Sequence, residues 1–296
     1  ALHWIDDGPP RMPVSLLTPS HGDGTLSGPH LLFDELIWTV SDDHGDHRLL
    51  ALRLKPETPS LPPPSLVGSA GDLGDDITLE PCRTEELLAV LIRGRPRGYS
   101  TEVALALRLA DGWRTPIRAS IPSDGFGLTC HGKTASLSWI DAQHEERVDP
   151  GAPPGSAVKG TYRLHRVRCA DEGCAHRHTD VHLQRHSRAS RYVVGDLGEA
   201  VMVLWRSPLG DVRARVAPLE ALDQAPDTPL FDDEAHQGFA WELGRGAVFA
   251  RDRTAIVVVK APREGDYALY ALRIDDSGRA APVEVQVAGE QGPTTR

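Results

Sequence analysis

Asparagine is absent from all 296 residues, methionine occurs twice, and lysine occurs four times against 28 arginines. Without asparagine there is no N-linked glycosylation acceptor. The arginine excess reads as genome composition and carries no mechanism. Aromatic residues make up 5% of the chain. No apolar run approaches the 18 residues of a membrane-spanning helix, so no membrane span is expected. The formal charge is −10, and no basic cluster is free of acidic neighbours. A nucleic-acid surface, which draws its affinity from many lysine and arginine contacts to phosphate, is therefore not expected. The most basic stretch, Arg163 to Arg191, alternates with histidine and reads as the solvated face of a hairpin. No secretory leader is legible. No Gly-x-Ser-x-Gly elbow, phosphate-binding glycine loop or His-Glu-x-x-His helix is present.

What the chain does have is glycine (28), proline (24) and one strand written five times. The copies are His47–Leu54, Glu102–Leu109, Thr161–Cys169, Asp211–Val216 and Asp266–Ile274. Each carries an arginine near its end, at Arg53, Arg108, Arg168, Arg215 and Arg273, with spacings of 55, 60, 47 and 58 residues. A second strand precedes each copy, and three of these carry tryptophan: Trp38, Trp139 and Trp205. Strands such as Ala200–Trp205 and Ala255–Val259 are apolar on both faces, as sheets buried between other sheets must be. The Leu2–Asp6 segment echoes Leu137–Asp141 and adds a partial sixth copy.

Four-strand units repeating near 50 residues resemble the blades of a β-propeller. The resemblance lacks the Gly-His and Trp-Asp signature of WD40 blades and any clear kelch pattern. It implies an all-β, single-domain propeller over 1–296, of five to seven four-stranded blades. The count is six if N- and C-terminal strands share one composite blade. Propeller folds host many activities, so the resemblance leaves function open. Residues 55–66 read as an extended proline-rich connector, and residues 143–160 as a long loop within the third blade.

Chemistry concentrates around the cysteines. Blade topology places Cys82, Cys130, Cys169 and Cys174 on one rim. Two disulfides, Cys169–Cys174 and Cys82–Cys130, are one cause. Zinc on Cys130, Cys169, Cys174 and His176 is a second, and four unrelated thiols are a third. Disulfides imply an extracellular or periplasmic location, and reduced thiols a cytoplasmic one. Ser41–Gly45 partly resembles the Asp-box turn of sialidase-like propellers but lacks its aromatic. The acidic turns at 72–76, 231–234 and 275–278 offer oxygens for calcium without the spacing of a calcium loop. Asp34, Glu35, Asp196 and Glu242 are candidates for a carboxylate pair of the glycosidase kind. For the five arginines, pairing with carboxylates of the neighbouring blade is favoured over an anion-binding crown.

These readings name no catalytic residue and require no cofactor. They favour a non-catalytic binding or scaffold propeller that presents rim loops to a protein or glycan partner. A hydrolase acting with carboxylates at the central channel is the alternative, and a structural subunit of a larger assembly the third.

Overall fold

A computed structural model describes residues 25–41, 47–54, 64–69, 73, 77–122, 125–148, 157–186, 192–231, 248–251, 254–263, 266–275 and 277–285. It is all-β apart from short 3-10 turns, and its strands form five four-stranded sheets. Sheet one holds β1 (Thr25–Leu32), β2 (Glu35–Ser41), β3 (His47–Arg53) and β4 (Ser65–Ser69). Sheet two holds β5 (Thr78–Arg83), β6 (Leu88–Arg93), β7 (Ser100–Leu109) and β8 (Gly112–Pro122). Sheet three holds β9 (Phe126–His131), β10 (Thr134–Arg147), β11 (Ala157–Ala170) and β12 (Gly173–His186). Sheet four holds β13 (Val193–Asp196), β14 (Val201–Arg206), β15 (Val212–Ala217) and β16 (Thr228–Pro229). Sheet five holds β17 (Val248–Arg251), β18 (Thr254–Arg263), β19 (Asp266–Ile274) and β20 (Ala280–Val285). Strands follow one another in chain order within every sheet. These are the blades of the β-propeller class that the repeat implies. The partial N-terminal copy, Ser41–Gly45 beyond its first residue, most of the proline-rich connector and Glu242 lie outside the described residues.

Contacts divide the chain into two compact units, one holding sheets one and two, the other sheets three to five together with Cys82–Leu87. In the first, Ile37, Leu49 and Ala51 of sheet one pack on Val90, Ile92, Ala104 and Ala106 of sheet two. In the second, Tyr162, Leu164 and Val181 of sheet three pack on Val203 and Trp205 of sheet four. The other face of sheet four, through Leu204 and Ala214, meets Val257 and Leu272 of sheet five. Here β9, β13 and β17 lie side by side, so the first strand of each sheet is the inner one. All six residues of β6 are buried. Burial on both faces explains why such strands do not alternate.

The tryptophans keep their register. Trp38, Trp139 and Trp205 sit on second strands and are buried. Trp38 lies on the side of sheet one away from sheet two, with Leu36, Val40 and Leu50. Trp139 lies opposite Ile140, which faces sheet four, and Trp205 faces back to sheet three. Each tryptophan thus lies on the face away from the sheet that follows its own in the chain.

The arginines do not keep a common face. Arg53 shares a side of its strand with Leu49 and Ala51, towards sheet two, and Arg168 shares one with Leu164, towards sheet four. Arg273 lies opposite Leu272 and Ile274, away from sheet four. Arg108 follows Ala104 and Ala106 towards sheet one, and Arg215 lies over the Trp205 ring, towards sheet three. Aligning five arginines by sequence therefore slips two sheets by one residue, and one residue reverses the face.

Sheet three departs most from the sequence reading. At both ends of the loop expected at 143–160 the described residues are strand, since β10 runs to Arg147 and β11 begins at Ala157. The Tyr162 hydroxyl donates to Glu145 at 2.6 Å, and Arg185 reaches both Glu145 oxygens at 2.8 and 2.9 Å. Lys159 pairs with Glu146 at 2.8 Å. Charged side chains paired across strands hold this ribbon, so no apolar alternation marks it in the sequence.

Candidate functional site

Strand alternation gives β11 two unlike faces. Arg163, His165 and Val167 lie on one, and Leu164, Arg166 and Arg168 on the other. The second face packs on sheet four, and its apolar contacts end where the arginines begin. There a cleft of about 310 Å³ opens, lined by Arg166, Arg168, Ala175, Arg177, Glu199, Pro218 and Glu220. Arg166 stands directly opposite Arg177 across β11 and β12, and Arg168 opposite Ala175. The far wall is the short 3-10 helix Leu219–Gln224, pinned by the buried Leu219 and Leu222. His182 fastens the helix to β12, its backbone N–H donating to Asp223 Oδ1 at 2.7 Å.

Two of the three arginines are neutralised. Arg168 donates two bonds of 2.9 Å to the Asp196 carboxylate, which is fully buried. That bond raises the Arg168 pKa. Arg177 pairs with Glu220 at 3.1 Å.

Arg166 is the exception. It is 7% exposed, and among the described residues its guanidinium has no hydrogen-bonded or ion-paired carboxylate. Its Nη1 is wholly covered and has no partner. Burial, with the nearby cations Arg168 and Arg177, pulls its pKa down against the attraction of Asp196 and Glu220. A buried cation lacking its own counterion is costly to keep.

The opposite face of the same strands carries stacked rings. Trp139 stacks on His165 with centroids 4.7 Å apart, and His165 Nδ1 lies 3.0 Å from His176 Nε2. Asp141 Oδ2 lies 3.2 Å from His165 Nε2 and accepts from Trp139 Nε1. Burial, then the neighbouring His165 and His178, hold the His176 pKa below its usual value.

The four cysteines are joined as Cys82–Cys130 and Cys169–Cys174. Register places Cys130, Ala135, Cys169 and Cys174 in one row across sheet three. Cys169 and Cys174 close a hairpin whose Gly173 has φ of +132°, a conformation that favours glycine. With the sulfurs bonded to each other, the set Cys130, Cys169, Cys174 and His176 offers no thiolate to zinc. Among the described residues no group of three or more histidine, cysteine, aspartate or glutamate side chains converges on a metal position. In the turn at 275–278, Asp275 bonds the N–H and hydroxyl of Ser277.

Three of the carboxylates named for a hydrolytic pair are instead the partners of the repeated arginines. Asp34 pairs with Arg53 at 3.0 Å, Glu35 with Arg108 at 2.6 Å and Asp196 with Arg168. Two of these pairs, Glu35–Arg108 and Asp196–Arg168, join neighbouring sheets. Arg53 binds within its own sheet, as does Arg215, which pairs with Asp227 at 2.5 Å. The basic stretch from Arg163 is not uniformly solvated, since Arg166 and Arg185 are buried. Sequence reasoning selected Arg168 through the repeat and passed over Arg166 and Arg177. The available signal was Arg166 itself, two residues before Arg168 and so on the same face of the strand.

No family model matches the chain, and no curated protein matches it. Several solved structures are similar to it in part. One is the GH43_1 enzyme from Xanthomonas citri complexed with xylose, with a TM-score of 0.38 and 9% identity over 90% of this chain and 92% of that one. Another is an exo-beta-1,3-galactanase from Phanerochaete chrysosporium, with a TM-score of 0.37 and 11% identity over 88% and 62%. A third is the Aleuria aurantia lectin in complex with alpha-methyl-L-fucoside, with a TM-score of 0.35 and 8% identity over 90% and 97%. Likeness at this level carries no argument about what this chain binds.

Proposed function

We propose that the protein is a non-catalytic binding module of an oxidising compartment, extracellular or periplasmic, whose cleft on sheet three takes an anionic group of its partner. The observation that carries this reading is Arg166, a buried guanidinium that lines an open cleft without a carboxylate of its own. The cleft is preorganised. Asp196 fixes Arg168, Glu220 holds Arg177, and the 3-10 helix is anchored in the core. Preorganisation lowers the ordering cost of binding. A hydrolase would need two carboxylates free to exchange protons across a bound bond. Asp34, Glu35 and Asp196 are each tied to an arginine, which favours binding over hydrolysis. The two disulfides support the compartment.

Ligand that binds only the folded state raises the melting temperature. A small monoanion such as acetate is expected to stabilise the native protein and to leave Arg166→Met unmoved. Equal stabilisation of both proteins would defeat the reading.

A further inference from the structure

The lining of the cleft narrows the ligand beyond its charge, on the premise that the cleft binds an anion. Three arginines line it, but so do two carboxylates, Glu199 and Glu220, with a third, Asp196, buried behind Arg168. Arg168 and Arg177 are already paired, so among the described residues Arg166 is the one lining guanidinium with no carboxylate bonded to it, while Asp196, Glu199 and Glu220 together balance the three arginines. A dianion such as phosphate would bring a second charge against Glu199 and Glu220. A single carboxylate would not. Glu199 is exposed and has no ion pair among the described residues, so its oxygens are open to accept hydroxyl hydrogen bonds. Glu220 keeps lone pairs beyond its one bond to Arg177. The only apolar lining is Ala175 and Pro218, two small groups that suit the C–H face of a ring and leave no socket for a large side chain. The volume of about 310 Å³ sits at the small end of ligand sites, enough for one ring.

We infer that the cleft receives a single acidic sugar residue of the uronate type. Its carboxylate lies on the Arg166 guanidinium, its hydroxyls donate to Glu199 and Glu220, and its C–H face rests on Ala175 and Pro218. Arg166 supplies charge, and the two glutamates select a hydroxylated ligand over a bare anion.

The test is titration calorimetry of the intact, oxidised protein with methyl glucuronide, methyl glucoside, acetate and inorganic phosphate. Methyl glucuronide is expected to bind at least about tenfold more tightly than each of the other three, a difference of about 1.4 kcal/mol. Arg166→Met is expected to abolish that binding. Glu199→Gln, a surface change, is expected to weaken methyl glucuronide several-fold and leave acetate unchanged. Acetate or phosphate binding as tightly as methyl glucuronide would overturn the sugar assignment and leave the anion cleft standing. Methyl glucoside matching methyl glucuronide, with a response to Glu199→Gln alone, would overturn the uronate assignment and the anion cleft together, because the carboxylate would then contribute nothing. Failure of all four compounds to bind would remove both readings. Should Arg166→Met not fold, the four-ligand ranking and Glu199→Gln decide the matter by themselves.

Discussion

Arg166 and Arg177 face each other as a cross-strand pair on β11 and β12. Like charges directly opposite one another destabilise a sheet. Among the described residues, only Arg177 of the two has a carboxylate within ion-pair reach. The pair is a local cost that packing elsewhere must offset, and strain of this kind gathers where a protein binds something.

The cost has a direct consequence for stability. Replacing Arg166 by methionine removes an uncompensated buried charge while keeping most of its apolar contacts. The variant is expected to be more stable than the wild type by about 1 kcal/mol, because an unsatisfied buried polar group costs about that much or more. Denaturant midpoints of the two proteins, compared without added anion, check this. A variant clearly less stable than the wild type would mean that Arg166 is satisfied in the free protein.

Asp196 behaves in the opposite sense. It is fully buried, accepts two bonds from Arg168 and a third from the Gly198 N–H at 2.8 Å. Asp196→Ala strips all three and leaves Arg168 partly buried without its partner. A loss of about 3 kcal/mol is expected, read as a lower denaturant midpoint. A loss below about 1 kcal/mol would show the pair to be as weak as a surface one.

The histidine ladder sets a pH dependence. The His176 pKa lies below the ordinary histidine value because of burial and the adjacent His165 and His178. As pH falls through about 6.5, the unfolded chain takes up this proton before the folded one does. Stability is therefore full above that pH and declines below it. His176→Gln is expected to flatten the decline between roughly pH 7 and pH 5. Parallel melting curves for the two proteins across that range would refute the assignment.

The two disulfides should contribute unequally. Cys82–Cys130 spans 48 residues and Cys169–Cys174 spans five. Loop-closure entropy assigns about 4 kcal/mol to the first and about 2 kcal/mol to the second. Paired serine substitutions, Cys82→Ser with Cys130→Ser against Cys169→Ser with Cys174→Ser, should rank in that order by denaturant midpoint. Mass spectrometry of the non-reduced protein checks the pairing.

The repeat made the sheets legible because burial between sheets is a property that sequence records. Strands such as β14, apolar on both faces, stand out, and Trp205 marks the place of Trp38 and Trp139 in their own sheets. The arginines were a poorer guide. A polar residue near a strand end is held by whichever carboxylate lies within reach, so Arg108 and Arg215 face opposite to Arg53 and Arg168. The ribbon beyond Asp141 was hidden for a related reason: Glu145, Tyr162 and Arg185 stabilise it by polar bonds across strands, a pattern without period. Arg166 was visible only as one basic residue among many. The cleft it lines is walled by Pro218 and Glu220, about 50 residues later in the chain, and local spacing holds no trace of them.

The span closed by Cys82–Cys130 is close to one repeat in length and contains the whole of β6, β7 and β8. A backbone cut within it, as at the exposed Ala110–Asp111 turn, separates no fragment. The severed ends stay tethered through sulfur, and sheet two keeps its own strands at high effective concentration. A protease can nick this blade and leave the molecule whole until a reductant arrives.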